Sequence, residues 1–244
     1  MYREVHFHFR MTPMVRRLLV VHGVIWLVTL VAVRWLGLPG ARTVASALYL
    51  HPAWADPDTV LHGRIWQLLT YMWMHDLRTP LHILFNLLML WMFGTVLEQR
   101  WGGRPLLVFY VLCGVGGAIV TVLAALIAPG LFGAPVLGAS GAVLGLIAAF
   151  ARTFPNQNIY LWFALPLPAR YLIPLTIAID LLFFLTNPLG MAFATHMGGL
   201  GAGWLLVTGR WRPSRMQRWF GRIGLSRRRR IWVVGERGRD RWLH

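Results

Sequence analysis

From Pro105 to Ala151 the chain carries no charged side chain. A water-soluble domain cannot hide a run of that length in one core. A bilayer accommodates it as helices, which satisfy their own backbone polar groups. Composition agrees: 57% of the 244 residues are hydrophobic and the mean hydropathy is +0.57, against roughly 45–50% apolar residues in an average soluble domain. The expected class is an all-α membrane protein.

A helix needs about 20 apolar residues to span, with a range of roughly 17–25. Six candidates meet or approach this: 15–36, 81–97, 105–128, 140–151, 170–186 and 192–208. The fourth is the shortest, so its helix is expected to start below the outer membrane surface, giving a six-helix bundle with a partly sunken fourth helix. Arginines set the orientation by the positive-inside rule. Arg3, Arg10, Arg16 and Arg17 precede the first span, Arg100 and Arg104 lie between spans two and three, Arg152 and Arg170 bound the next such link, and an Arg-rich tail follows span six. The links 129–139 and 187–191 carry no charge. Both termini are therefore expected in the cytoplasm, with a segment 1–14, a membrane domain 15–208 and a tail 209–244, in a cell (inner) membrane. The link 37–80 is rich in aromatics, among them Tyr49, Trp54, Trp66, Tyr71 and Trp73, and part of it is expected at the headgroup level.

The net charge of +16 first suggests a nucleic-acid partner. Its distribution argues instead for membrane lipid: half of the 24 basic residues, all arginines, lie from Arg210 onward, just after the last span, where a basic segment anchors to anionic headgroups. Cys113 is the one cysteine and sits in an apolar run, so no internal disulfide forms. The first apolar run is long enough to span and has no evident signal-peptide cleavage site.

Polar side chains inside spans are costly and so point to function. Ser140 opens the fourth span in Gly138-Ala139-Ser140-Gly141, after the helix-poor residues Gly130, Gly133 and Pro135. Free backbone N–H groups and the positive dipole end of a helix N-terminus make a serine there a candidate nucleophile beside an oxyanion hole; an N-cap is the plainer alternative. His196 lies in the sixth span, followed on its face by Gly199 and Gly203. That small-residue stripe matches Gly141 and Gly145 of the fourth span and allows close backbone approach, which would bring Ser140 near His196. The alternative is a histidine bonded to a backbone carbonyl. His82 and Asn86, four apart, point to one side and can both donate hydrogen bonds. A metal at His82 is disfavoured for want of further ligands. His75 is a loop residue near that pair. Asp180 lies mid-span and could partner a buried donor, but no spacing places it near His196. Glu98, beside Arg100, reads as an ion pair or cap.

These residues together resemble the rhomboid intramembrane serine proteases over Gly63 to Thr208, through His82-Ile83-Leu84-Phe85-Asn86, Gly138-Ala139-Ser140-Gly141, and His196 followed by Gly199 and Gly203. The resemblance implies a Ser140–His196 dyad, with His82, Asn86 and the Ser140 backbone N–H stabilising the oxyanion, and single-pass transmembrane proteins as substrates. No metal, ATP or other cofactor is implied, and the oligomeric state is left open. Two positions depart from the family: Gln67 follows Trp66 where arginine is common, which bears on how the outer loop is anchored, and Leu144 stands where an aromatic residue often supports the histidine. These departures leave a catalytically silent rhomboid-like binding protein as the alternative function. A small transporter is disfavoured, since the polar residues gather at the outer ends rather than at a central site.

Overall fold

The computed structural model describes residues 11–161, 165–186 and 192–208. The Arg-rich tail and the link 187–191 lie outside the described residues. The fold is mostly helical. The long helices are α1 (Pro13–Leu30, continued by a π-turn over Val31–Trp35), α4 (Pro80–Trp101), α5 (Gly103–Ile127), α7 (Ser140–Thr153), α8 (Leu172–Thr186) and α9 (Phe193–Thr208). Short helices α2 (Ala41–Ala47) and α3 (Gln67–Thr70) lie in the link after α1, and α6 (Pro129–Phe132) precedes α7. Among the described residues, four segments are long and apolar enough to cross a membrane: Pro13–Trp35, Pro80–Trp101, Gly103–Ile127 and Ala169–Thr186.

Local chemistry sets the boundaries. Pro13 and Pro80 occupy first-turn positions of α1 and α4, where the missing N–H costs nothing. Between α4 and α5, Gly102 takes φ +91° and its N–H bonds Glu98 O at 2.8 Å; a glycine reverses the chain there without Cβ strain. Glu98 is neither paired with Arg100 nor a cap of its own helix. Its carboxylate accepts from Thr12 Oγ1, from Met14 N at 2.9 Å and from Val15 N at 2.8 Å, and so caps the N-terminus of α1.

Helix α7 is the centre of the molecule. Most of its residues are buried, including the continuous run Gly145–Ala151. At 14 residues it is about 21 Å long, shorter than the roughly 30 Å hydrocarbon layer. Its most extensive interface is with α9, and α5 packs closely against both. Small residues make this possible. A Cβ on Gly199 would stand 2.0 Å from Gly141 O, and one on Gly203 2.4 Å from Gly145 O. The expected glycine stripes therefore face each other, backbone against backbone. On the α5 side, a Cβ on Gly117 would meet Thr195 O at 2.7 Å, and Thr121 Oγ1 bonds Thr195 Oγ1 at 2.6 Å.

The link from α7 to α8 adds a small ribbon to this mostly helical fold: β1 (Asn158–Leu161) and β2 (Leu165–Pro168) pair antiparallel, with Ile159 opposite Leu167. Pro166 and Pro168 exclude a helix here, and a two-stranded ribbon tolerates them because both strands are edges.

Candidate active site

Ser140 is the first residue of α7 and not its N-cap, a place taken by Ala139. The hydroxyl is therefore not spent on its own helix. It is bonded to His196 Nε2 of α9 at 2.7 Å. The segment before it is pinned from the α1–α4 link: Leu50 and Val136 exchange backbone bonds of 2.9 and 2.8 Å, and Gly138 N–H donates to Tyr71 O at 3.0 Å. Tyr71, fully buried, ties that link in turn to α5 by donating to Gly114 O at 2.8 Å.

On its other side, His196 Nδ1 lies 2.8 and 2.9 Å from the two carboxylate oxygens of Asp180 in α8. No sequence spacing places Asp180 near His196, yet its carboxylate lies against the ring. Leu144 lines the cavity, and the histidine is held by a carboxylate. The sequence held only a partial signal: Asp180 and His196 are the sole ionisable side chains on α8 and α9, and ionisable groups within spans pair with one another.

His82 and Asn86 both line the cavity on α4. Asn86 is buried, and its Nδ2 donates to His82 O at 2.8 Å. Asp76 N–H reaches His82 Nδ1 at 3.5 Å, a long contact on the side of the ring away from Gly138. A Cβ on Gly138, whose φ is +122°, would lie 2.8 Å from His82 Nε2 and 3.8 Å from Ser140 Oγ. Only glycine leaves the space between those two groups open. Behind His82 sits His75, with ring centroids 5.4 Å apart, then His22 of α1 at 5.3 Å from His75. Burial pushes the His75 imidazole down to about 3, and the neighbouring His22 and His82 act in the same direction. His75 is thus a neutral packing element behind the site.

The cavity has a volume of about 780 Å³ and opens between α4, α7, α8 and α9, with Ser140, His196, His82, Asn86 and Asp180 on its wall. A hydroxyl bonded to an imidazole, itself bonded to a carboxylate, can lose its proton to the ring as it attacks.

Gln67 is fully buried. Its Oε1 accepts from His51 N at 3.0 Å and its Nε2 donates to Asp58 O at 2.8 Å. Arg64 pairs with Asp58. The link between α1 and α4 is therefore anchored by an amide.

A family model described as the Rhomboid domain matches residues 62–213, well over half of the chain. The chain belongs to the rhomboid family. It is 33% identical over 156 residues to RHOMBOID-like protein 1 of Arabidopsis thaliana, covering 62% of this chain and 36% of that protein. With RHOMBOID-like protein 6, mitochondrial, of the same plant, identity is 34% over 58% of this chain and 42% of the relative. With Rhomboid protease GluP of Bacillus subtilis it is 29% over 61% and 26%. The matched region thus spans well under half the length of these curated relatives. A rhomboid domain accounts for the multi-pass apolar helices.

Proposed function

We propose that this rhomboid is an intramembrane serine endopeptidase that hydrolyses peptide bonds in or near the transmembrane segments of single-pass membrane proteins. One observation carries the reading: the 2.7 Å contact between Ser140 Oγ and His196 Nε2 at a helix N-terminus, on the wall of an open cavity. Ser140 attacks the scissile carbonyl as His196 takes its proton. The first N–H groups of α7, with His82 and Asn86, receive the oxyanion. His196 then returns the proton to the leaving amine, and water repeats the cycle on the acyl-enzyme. The substrate helix must unwind first, since its carbonyls are otherwise held in the backbone ladder. Six helices span the membrane, with α7 starting below the outer surface, both termini in the cytoplasm and the cavity open to the opposite side.

A fluorophosphonate should label the purified full chain at Ser140. In liposomes with a model single-pass substrate, Ser140→Ala should lower cleavage by about 10⁴-fold or more. Cleavage unchanged in that variant, or wild-type protein that binds substrate without cutting or labelling, refutes the proposal and favours a silent binding protein.

A further inference from the structure

Helix α8 is a poor place for a carboxylate. Among its described side chains only Leu172 and Asp180 are buried, while Leu182, Phe183 and Leu185 are more than half exposed on the flank of the bundle. An acid in such a helix is costly unless it has a partner. Among the described residues the one ion-pair partner of Asp180 is His196. Both carboxylate oxygens converge on the same nitrogen, at 2.8 and 2.9 Å. Among the described residues no arginine shares the carboxylate, in contrast to Asp58 with Arg64.

We infer that Asp180 is a positioning residue that orients His196 and stabilises its cationic form, so that this rhomboid works with three groups in line. The inference rests on the reading that Ser140 and His196 carry out the cleavage. A carboxylate accepts only, so Nδ1 must carry the ring proton and Nε2 is left as the acceptor facing Ser140 Oγ–H. One of the two neutral tautomers, and one ring orientation, is thereby selected before substrate arrives. As the bond from Oγ to the scissile carbon forms, the carbonyl electron pair moves to oxygen and the hydroxyl proton passes to Nε2. The resulting imidazolium keeps its Nδ1 proton and is flanked by the Asp180 charge. The Nε2 proton leaves with the amine when the C–N bond breaks, and Asp180 is ionised throughout. Leu144 needs to do nothing for the ring beyond lining the cavity.

The rival explanation is that Asp180 only fastens α8 to α9. Full-length protein in liposomes separates the two. Asp180→Asn nearly preserves volume but can present an amide N–H to the ring and favour the wrong tautomer. It should reduce kcat by about 10²- to 10⁴-fold, with KM within about threefold and thermal stability close to wild type. Fluorophosphonate labelling of Ser140 should slow in parallel. Asp180→Glu should recover part of the lost kcat. Independently of how the Asp180 variants fold, ¹⁵N spectra of histidine-labelled wild type should show the His196 ring protonated at Nδ1 and bare at Nε2, the signals being assigned by their loss in His196→Ala. A kcat unchanged in Asp180→Asn, or a His196 ring protonated at Nε2 instead, overturns the inference. Either result in an enzyme that still needs Ser140 leaves the protease reading intact, whereas a wild type that neither cuts nor labels refutes that reading instead.

Discussion

At the scale of single residues, two buried polar side chains show how the fold spends hydrogen bonds away from the cavity. Gln67 holds two backbone groups of the link between α1 and α4 with a neutral amide. Glu98 holds two backbone N–H groups and the Thr12 hydroxyl at the start of α1. His82 and Glu98 sit sixteen positions apart on the same helix, about 24 Å along its axis, so stability and chemistry can be probed separately here. Glu98→Ala leaves the N-terminus of α1 uncapped beneath a nearly closed surface. We expect it to cost about 2–4 kcal/mol in reversible unfolding in detergent, with kcat per folded molecule unchanged. A variant as stable as wild type contradicts the capping role. The sequence already marked Glu98 as a cap or ion pair, but not whose cap. Its partners lie more than eighty positions away, beyond the reach of any local spacing rule.

At the scale of elements, the seam between α7 and α9 governs the site. It sets the depth and rotation of both helices, and thereby the 2.7 Å contact of Ser140 with His196. Gly199→Val puts a branched side chain where even a Cβ would meet the Gly141 carbonyl at 2.0 Å. The helices must separate, at a cost of at least about 1–3 kcal/mol, and substrate cleavage should fall to background. Gly201 has open space at its Cβ position. Gly201→Ala should therefore be neutral to stabilising by up to about 1 kcal/mol, from helix propensity. Melting temperature and cleavage rate on the two variants check the seam, and full activity in Gly199→Val would exclude it. Apolar run length was enough to read these helices, and small residues at four-residue spacing were enough to read which faces meet. The ribbon β1–β2 was not legible, because short segments rich in proline lack any periodicity that separates strand from loop. The alignment of α8 with α9 was equally hidden: Asp180 and His196 lie sixteen positions apart on different helices, which no local spacing rule connects, and so Asp180 was noticed but not placed.

At the scale of the whole molecule, the arginine distribution gives an orientation that can be tested with little engineering. Cys113 is the sole cysteine and is completely buried, so the wild type is silent to polar thiol reagents. Gly130 and Asn156 are both exposed and lie on opposite sides in the proposed topology. A membrane-impermeant maleimide should label Gly130→Cys in right-side-out vesicles and Asn156→Cys only in inverted ones. The reverse pattern would put the cavity mouth on the cytoplasmic side and redirect the search for substrates.

The seam has a consequence for how this chain can change over time. Any nucleotide substitution at the first or second position of a glycine codon encodes a residue with a Cβ, or a stop. At Gly199 and Gly203 that first carbon already collides with the backbone of α7, so no single mutational step away from glycine is open unless a second change moves the opposite helix. The two positions form a pair of genetic dead ends, in contrast to Gly201 on the same helix, where the first carbon of a side chain meets open space.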